Sequence, residues 1–407
     1  MSPASRWPVV LAFAALGVST QLCWLAYAAT TTATAQHLGV SEQAVGWLAN
    51  VFPLLFVVLA VPAGVALDRW FRPTLAVGAV LIAVGASLRF AVDEYWAALA
   101  GQTLAAIAQP IVANAITRVA AGYLAPKDRP LGIAVGAGAT YVGMIVAIGL
   151  GTALPGDVRT VVGIGTAIAV LTAVAALVSL RVPPPFLGER EAVGSLRVAL
   201  REPGVPVLAA VVLLGTGIFV SLATWLEPLL KPAGVSSSTS GLLLLVVLVS
   251  GVVGCVLVPP FAARRHWESR TLQVTALVTA AACLLLGFAP AATGFVAAVP
   301  IGFLLLSALP VALSRVERGG SASAGTITSV VWMAANTGGV VVSSAVGYLL
   351  DLPVVAFTVF AVLAVSAFLL ARRLEHQEDQ VAGTEGHDEL AGSRNATVGQ
   401  DSATGPA

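Results

Sequence analysis

Twelve apolar runs, each about as long as a lipid bilayer is thick, follow one another along this chain with only short charged interruptions. Crossing ~30 Å of hydrocarbon as a helix takes ~20 residues. A helix is the form such a run adopts, because hydrocarbon offers no partner to an open backbone. The runs fall at 8–34, 43–67, 73–92, 95–124, 130–153 and 159–181, then at 204–230, 238–262, 270–289, 292–314, 322–349 and 352–373. This spacing predicts an all-α polytopic membrane protein of twelve transmembrane helices, six in residues 1–181 and six in 204–373. A polar linker at 182–203 separates the two halves, and a polar tail at 374–407, poor in large apolar residues, is expected to be disordered. The first run, from Pro8 to Thr34, exceeds the ~7–15 apolar residues of a signal sequence and is followed at once by further runs. It reads as the first span.

Composition agrees. Only 10% of the 407 residues are charged and 58% are hydrophobic, against roughly 25% charged in soluble proteins. Forty glycines in such a background suit closely packed membrane helices. A net charge of +1 leaves no basic patch clear of the loops, which argues against nucleic acid as a partner. The three cysteines (Cys23, Cys255, Cys283) lie inside apolar runs and suggest neither a disulfide framework nor a metal site. There is no GxxxxGK[ST] phosphate loop and no HExxH, and the four histidines fall in loops or the tail. No cofactor, metal or catalytic residue is therefore expected.

Arginines set the orientation, since cytoplasmic loops are enriched in Lys and Arg. Arg6, Arg69, Arg72, Lys127, Arg129, Arg181, Arg264, Arg265, Arg315 and Arg372 alternate onto one side, whereas only Arg89, Arg159 and Lys231 fall on the other. Both termini and the 182–203 linker are thus expected in the cytoplasm, in a cell (plasma or inner) membrane, with the protein a monomer. A repeat accompanies the six-plus-six count. At an offset of 195, Gly39-Val40-Ser41 with Gly46 recurs as Gly234-Val235-Ser236 with Gly241, and Arg69 falls on Arg264. Two parallel halves related by an axis along the membrane normal would give this pattern.

The second span runs into Gly64-Val-Ala-Leu-Asp68-Arg69-Trp-Phe-Arg72. This resembles the loop 2–3 signature of the major facilitator superfamily: a glycine, then Asp-Arg, then a further basic residue. The resemblance implies a gate built from Gly64, Asp68, Arg69, Arg72 and Arg118. The acid would pair with a basic group or a helix N-terminus. The matching loop of the second half carries Ala263 where Asp68 sits, so the gate is expected to be asymmetric. Within that superfamily, several features are similar to the feline leukaemia virus subgroup C receptor family. These are Trp24, the stretch Trp47-Leu-Ala-Asn50-Val-Phe-Pro53, and Gly101-Gln102 through Gln109-Pro110, Asn114 and Thr117-Arg118. The likeness covers roughly the first 150 residues and implies choline, haem or related solutes. It places Trp24 where the family holds a cationic amine, and Tyr141 where the family carries a glutamine.

Polar groups in hydrocarbon are costly and usually face a cavity or a helix. Glu227 is the acid expected inside a span, in Thr224-Trp225-Leu226-Glu227-Pro228, and Pro228 predicts a break in the seventh helix. Two readings stand. Glu227 couples transport to a proton or binds a cation, or it reaches water or pairs with Lys231 one turn on. Trp225 beside it is a candidate substrate contact. Trp24 and Phe219 coincide under the 195 offset, so they either face each other across a central cavity as a cation cradle or pack. Gln21, three residues before Trp24, shares its helix face. The expected function is a secondary active or facilitative carrier of a small organic solute, such as an amine, by alternating access. A proton-coupled drug or metabolite efflux antiporter is the alternative. A non-transporting receptor or membrane enzyme is the reading from another class.

Overall fold

The computed structural model describes residues 4–186, 200–202, 204–318 and 324–375. Most of the 182–203 linker and the tail beyond Glu375 lie outside the described residues. Eleven helices among them are long and apolar enough to cross a membrane. One of these, α3 (Glu42–Ala91), is 50 residues long, about two bilayers' worth. It leaves helical geometry at Trp70 (φ −137°, ψ 58°), where Thr74 Oγ1 donates to Ala66 O across the bend at 3.1 Å. Counting α3 as two crossings gives the twelve expected, in two sets of six.

The first set comprises α1 (Trp7–Trp24) with α2 (Thr31–Leu38), the two arms of α3, α4 (Tyr95–Asn114) with α5 (Ile116–Tyr123), α6 (Arg129–Ala153) and α7 (Val158–Ser179). The second comprises α8 (Val205–Leu230), α9 (Ser237–Arg265), α10 (Glu268–Phe288), α11 (Pro290–Pro300) with α12 (Ala308–Arg318), α13 (Ala324–Val346) and α14 (Pro353–Glu375). Between the sets, α6 packs on α9, α3 on α13, and α2 and α3 on α8.

The breaks within crossings differ from the sequence reading. The seventh helix was expected to be interrupted at Pro228, but α8 runs through it to Leu230. The discontinuity lies in the first span, read as continuous over 8–34, where the chain turns between Trp24 and Thr31. The reason is tertiary. Cys23 O, freed at the end of α1, accepts from Gln102 Nε2 at 3.0 Å and from Arg89 at 3.4 Å, so side chains from two neighbouring helices satisfy what another helical turn would have done. Arg89, placed by its charge at the sparsely charged end, is in fact buried, and it also donates to Gln102 Oε1 at 2.7 Å. The tenth crossing holds a π-helical turn, Ile301–Leu305, directly after Pro300. There the missing N–H loosens the helical ladder, and Gly302 presses its backbone onto α9 near Val247 O.

The repeat has a physical basis. Gly39 and Gly234 end their helices in the left-handed region (φ 66° and 76°), which glycine enters without steric cost. Ser41 and Ser236 then cap α3 and α9, accepting from Ala44 N and Thr239 N at 3.1 Å each. The 195-residue repeat is one stop-and-restart device used twice.

Candidate functional site

At the sparsely charged end, the break in the first span leaves α2 with a free N-terminus, and an acid from the other set of six fills it. Glu227, 2% exposed, accepts from Thr32 N at 2.9 Å and from Thr32 Oγ1 at 3.1 Å. A carboxylate suits this place because backbone donors and the helix dipole both favour negative charge. Its other oxygen accepts from Ser237 Oγ at 2.8 Å. Thr32 Oγ1 also lies 2.8 Å from Glu42 Oε1, which in turn takes Lys231 Nζ at 2.8 Å. The result is a polar chain, Lys231–Glu42–Thr32–Glu227–Ser237, that crosses twice between the sets. Lys231 therefore pairs with Glu42, not with Glu227 as one sequence reading had it. One cation against two acids leaves a surplus negative charge, and the single Thr32 hydroxyl proton cannot serve both carboxylates fully.

The same offset of 195 orders this chain. Thr32 and Glu227 are equivalent positions that touch each other, and Glu42 and Ser237 are equivalent positions that touch them. Self-contact of this kind is what an axis relating the halves and passing near the pair would give. Below it, Trp225 is buried, its Nε1 donating to Ser343 O (2.8 Å) and lying 3.0 Å from Ser343 Oγ, which in turn donates to Asn50 at 2.8 Å. Its indole fills the space over Gly46, where an added Cβ would stand 1.7 Å from Trp225 Cη2. Gly241 likewise lies against Thr152 of α6. Both repeated glycines thus lie where the halves approach each other closely.

Nearer the middle, Gln21 and Trp24 are buried on one face of α1, and Gln21 Oε1 and Trp24 Nε1 have no protein partner. Tyr141 Oη lies 3.3 Å from Cys255 Sγ, bridging α6 and α9. Phe219 is half-buried on α8 and packs on the core, and it does not stack on Trp24: the ring pairs in contact among the described residues are Phe56–Trp332, Phe261–Trp267 and Phe357–Phe360.

At the arginine-rich end, Asp68 pairs with Arg118 NH2, and Arg118 NH1 donates to Leu67 O at 2.7 Å. Arg72 Nε donates to Leu180 O at 2.7 Å, and Arg69 stacks on Trp70 at 4.6 Å. At Gly64 an added methyl would meet Asn114 at 3.8 Å, an ordinary contact. These ties all lie within the first six crossings.

Sequence reasoning singled out Glu227 and Trp225 but missed their partners Thr32, Glu42 and Ser343. The offset could have paired 32 with 227. Nothing local marks Ser343, one hydroxyl among many.

A family profile described as Major Facilitator Superfamily matches residues 9–343. Solute carrier family 49 member A3 of Danio rerio is 29% identical over 299 residues, 68% of this chain and 63% of that protein. The choline/ethanolamine transporter FLVCR1 of Felis catus is 30% identical over 129 residues, 31% of this chain and 23% of that one. The alignments thus span less than two thirds of either relative's length. Among solved structures, a bacterial homolog to the human lysosomal transporter Spinster, in an inward-facing and occupied conformation, superposes with a TM-score of 0.73 at 17% identity, covering 92% of this chain and 98% of that one. The nucleoside transporter NupG gives 0.67 at 14% identity, covering 90% and 98%.

Proposed function

The chain belongs to the major facilitator superfamily, and from that premise we propose that it carries a small organic solute across a cell membrane by alternating access. The moving bodies are residues 1–181 and 204–373, joined by the 182–203 linker. The arginine-rich face, with both termini, lies in the cytoplasm. The polar chain through Glu227 is the latch that closes the outer end, so the conformation described is inward-facing. Gln21, Trp24, Tyr141 and Phe219 offer the solute contacts between the halves. Asp68 with Arg118, beside Gly64, Arg69 and Arg72, stiffens the cytoplasmic gate.

The observation that carries this reading is Glu227: a buried acid of one half capping a helix of the other. A contact of that kind forms only when the outer ends meet. In a second reading Glu227 takes up a proton and the carrier works as an efflux antiporter, which the place of this acid in a buried contact between the halves supports. Protonation would cost the carboxylate an acceptor site and weaken the latch. An amine is the first solute class to try, because the Felis catus relative is a choline/ethanolamine transporter and Trp24 presents a π face to a cation.

Reconstituted into proteoliposomes with imposed pH gradients, the parent is expected to move at least one of a panel of amines, nucleosides and amphipathic drugs. Glu227→Gln, which keeps the shape but not the charge, is expected to abolish the gradient dependence. Unchanged flux at every pH in that variant removes Glu227 from coupling, and failure of the whole panel removes the solute classes named.

A further inference from the structure

Two exposed segments at the arginine-rich end carry an arginine lying on aromatic rings, in corresponding loops of the two halves but one residue out of register, Arg69 in the first and Arg265 in the second. In the first, Arg69 stacks on Trp70 at 4.6 Å, and Trp70 is 55% exposed. In the second, Arg265 lies 4.6 Å from the Phe261 ring centre and 5.0 Å from that of Trp267, beside exposed Arg264. The 195 offset sets Arg69 on Arg264 and Trp70 on Arg265.

None of these three arginines has a carboxylate partner among the described residues. Asp68, next to Arg69, is taken by Arg118. In the second loop Glu268 is turned inward and buried, and Glu375 is taken by Arg270. A guanidinium held flat on a ring keeps its N–H edge free for a planar or tetrahedral oxyanion. Exposed tryptophan at the end of a membrane helix sits at the depth of lipid headgroups. The opposite end supplies a contrast: Arg159 also lies over a ring, Phe90 at 5.6 Å, but Asp93 is 3.5 Å from it.

We propose that the loops around Arg69–Trp70 and Arg264–Trp267 each bind the phosphate headgroup of an anionic phospholipid. Stacking orients each guanidinium toward the bilayer surface, and the missing carboxylates leave its charge to the lipid. The site rests on the fold alone and stands whether or not the chain moves a solute.

Native mass spectrometry of the purified full chain, incubated with equal amounts of phosphatidylglycerol and phosphatidylcholine, tests it. The parent is expected to retain two phosphatidylglycerol molecules in preference to phosphatidylcholine. Arg69→Gln should lose one, Arg264→Gln with Arg265→Gln the other, and Arg159→Gln neither. Trp70→Ala and Trp267→Ala, which keep every charge, should each weaken retention of one lipid, so the result does not depend on one variant folding. A parallel melt should show phosphatidylglycerol raising the Tm of the parent but not of the triple arginine variant. Equal retention of the two lipids by the parent overturns the proposal, as does loss of lipid from Arg159→Gln. Inorganic phosphate raising the Tm as far as phosphatidylglycerol does would assign the sites to the free ion and overturn the lipid as occupant.

Discussion

At Gly46 an α-hydrogen faces the Trp225 indole, and any larger substituent must displace that ring or hold the halves apart. Overpacking of this kind costs ~1–3 kcal/mol, which is a roughly 5- to 150-fold shift in a two-state equilibrium. Gly46→Ala is therefore expected to depopulate the closed form of the sparsely charged end by about that factor. Trp225→Leu in the same chain should restore it, because the space then reappears. The distance between spin labels at the exposed Gln36 and Ala233 reads the closed population, and equal distance distributions in Gly46→Ala and parent would refute the wedge. Trp24 poses a different test. If its ring holds a cation, Trp24→Phe keeps most of the affinity for a quaternary amine while Trp24→Ala loses ~0.5–2 kcal/mol of it. If instead its unpartnered Nε1 bonds the solute, both variants lose alike. These positions were only partly legible in the sequence. Gly46 stood out because Gly241 repeats it, but a glycine does not announce which ring will lie on it.

The element that most altered the sequence reading is α2. Its eight residues are too short to hold a helix alone, and one of its first backbone donors, Thr32 N, is met by Glu227 from the far half. A capping acid is worth ~0.5–2 kcal/mol, so Glu227→Ala should speed hydrogen exchange at the amides of Thr32 and its neighbours by roughly 2- to 30-fold while α1 exchanges as before. Equal acceleration in α1 would mean general loosening instead of a lost cap. The twelve crossings were legible because length and hydropathy depend on the sequence alone. The break between α1 and α2 was not, because it is stabilised by Arg89 and Gln102 from other helices. Pro228 misled for the complementary reason. A proline removes one donor, and one lost bond does not end a helix whose flanks are packed on α13 and α3.

For the whole molecule, the 195-residue offset makes a sharper statement than the two loops in which it was first seen. It pairs Thr32 with Glu227, and these touch; it pairs Gly46 with Gly241, and each is a close contact between halves. Contacts of this symmetry are what two halves rocking about a shared axis would make, and under the proposed alternating access one end closes as the other opens. Spin labels at Gln36 and Ala233 would report the sparsely charged end, and labels at Lys127 and Arg201 the arginine-rich end, all four being exposed. With the Thr32–Glu227 contact weakened by Glu227→Gln, rocking of undeformed halves requires the first distance to lengthen and the second to shorten together. A first pair that lengthens while the second stays fixed would mean that α2 alone swings away as a lid. The equivalence of Thr32 and Glu227 would then describe how the halves arose and not how they move.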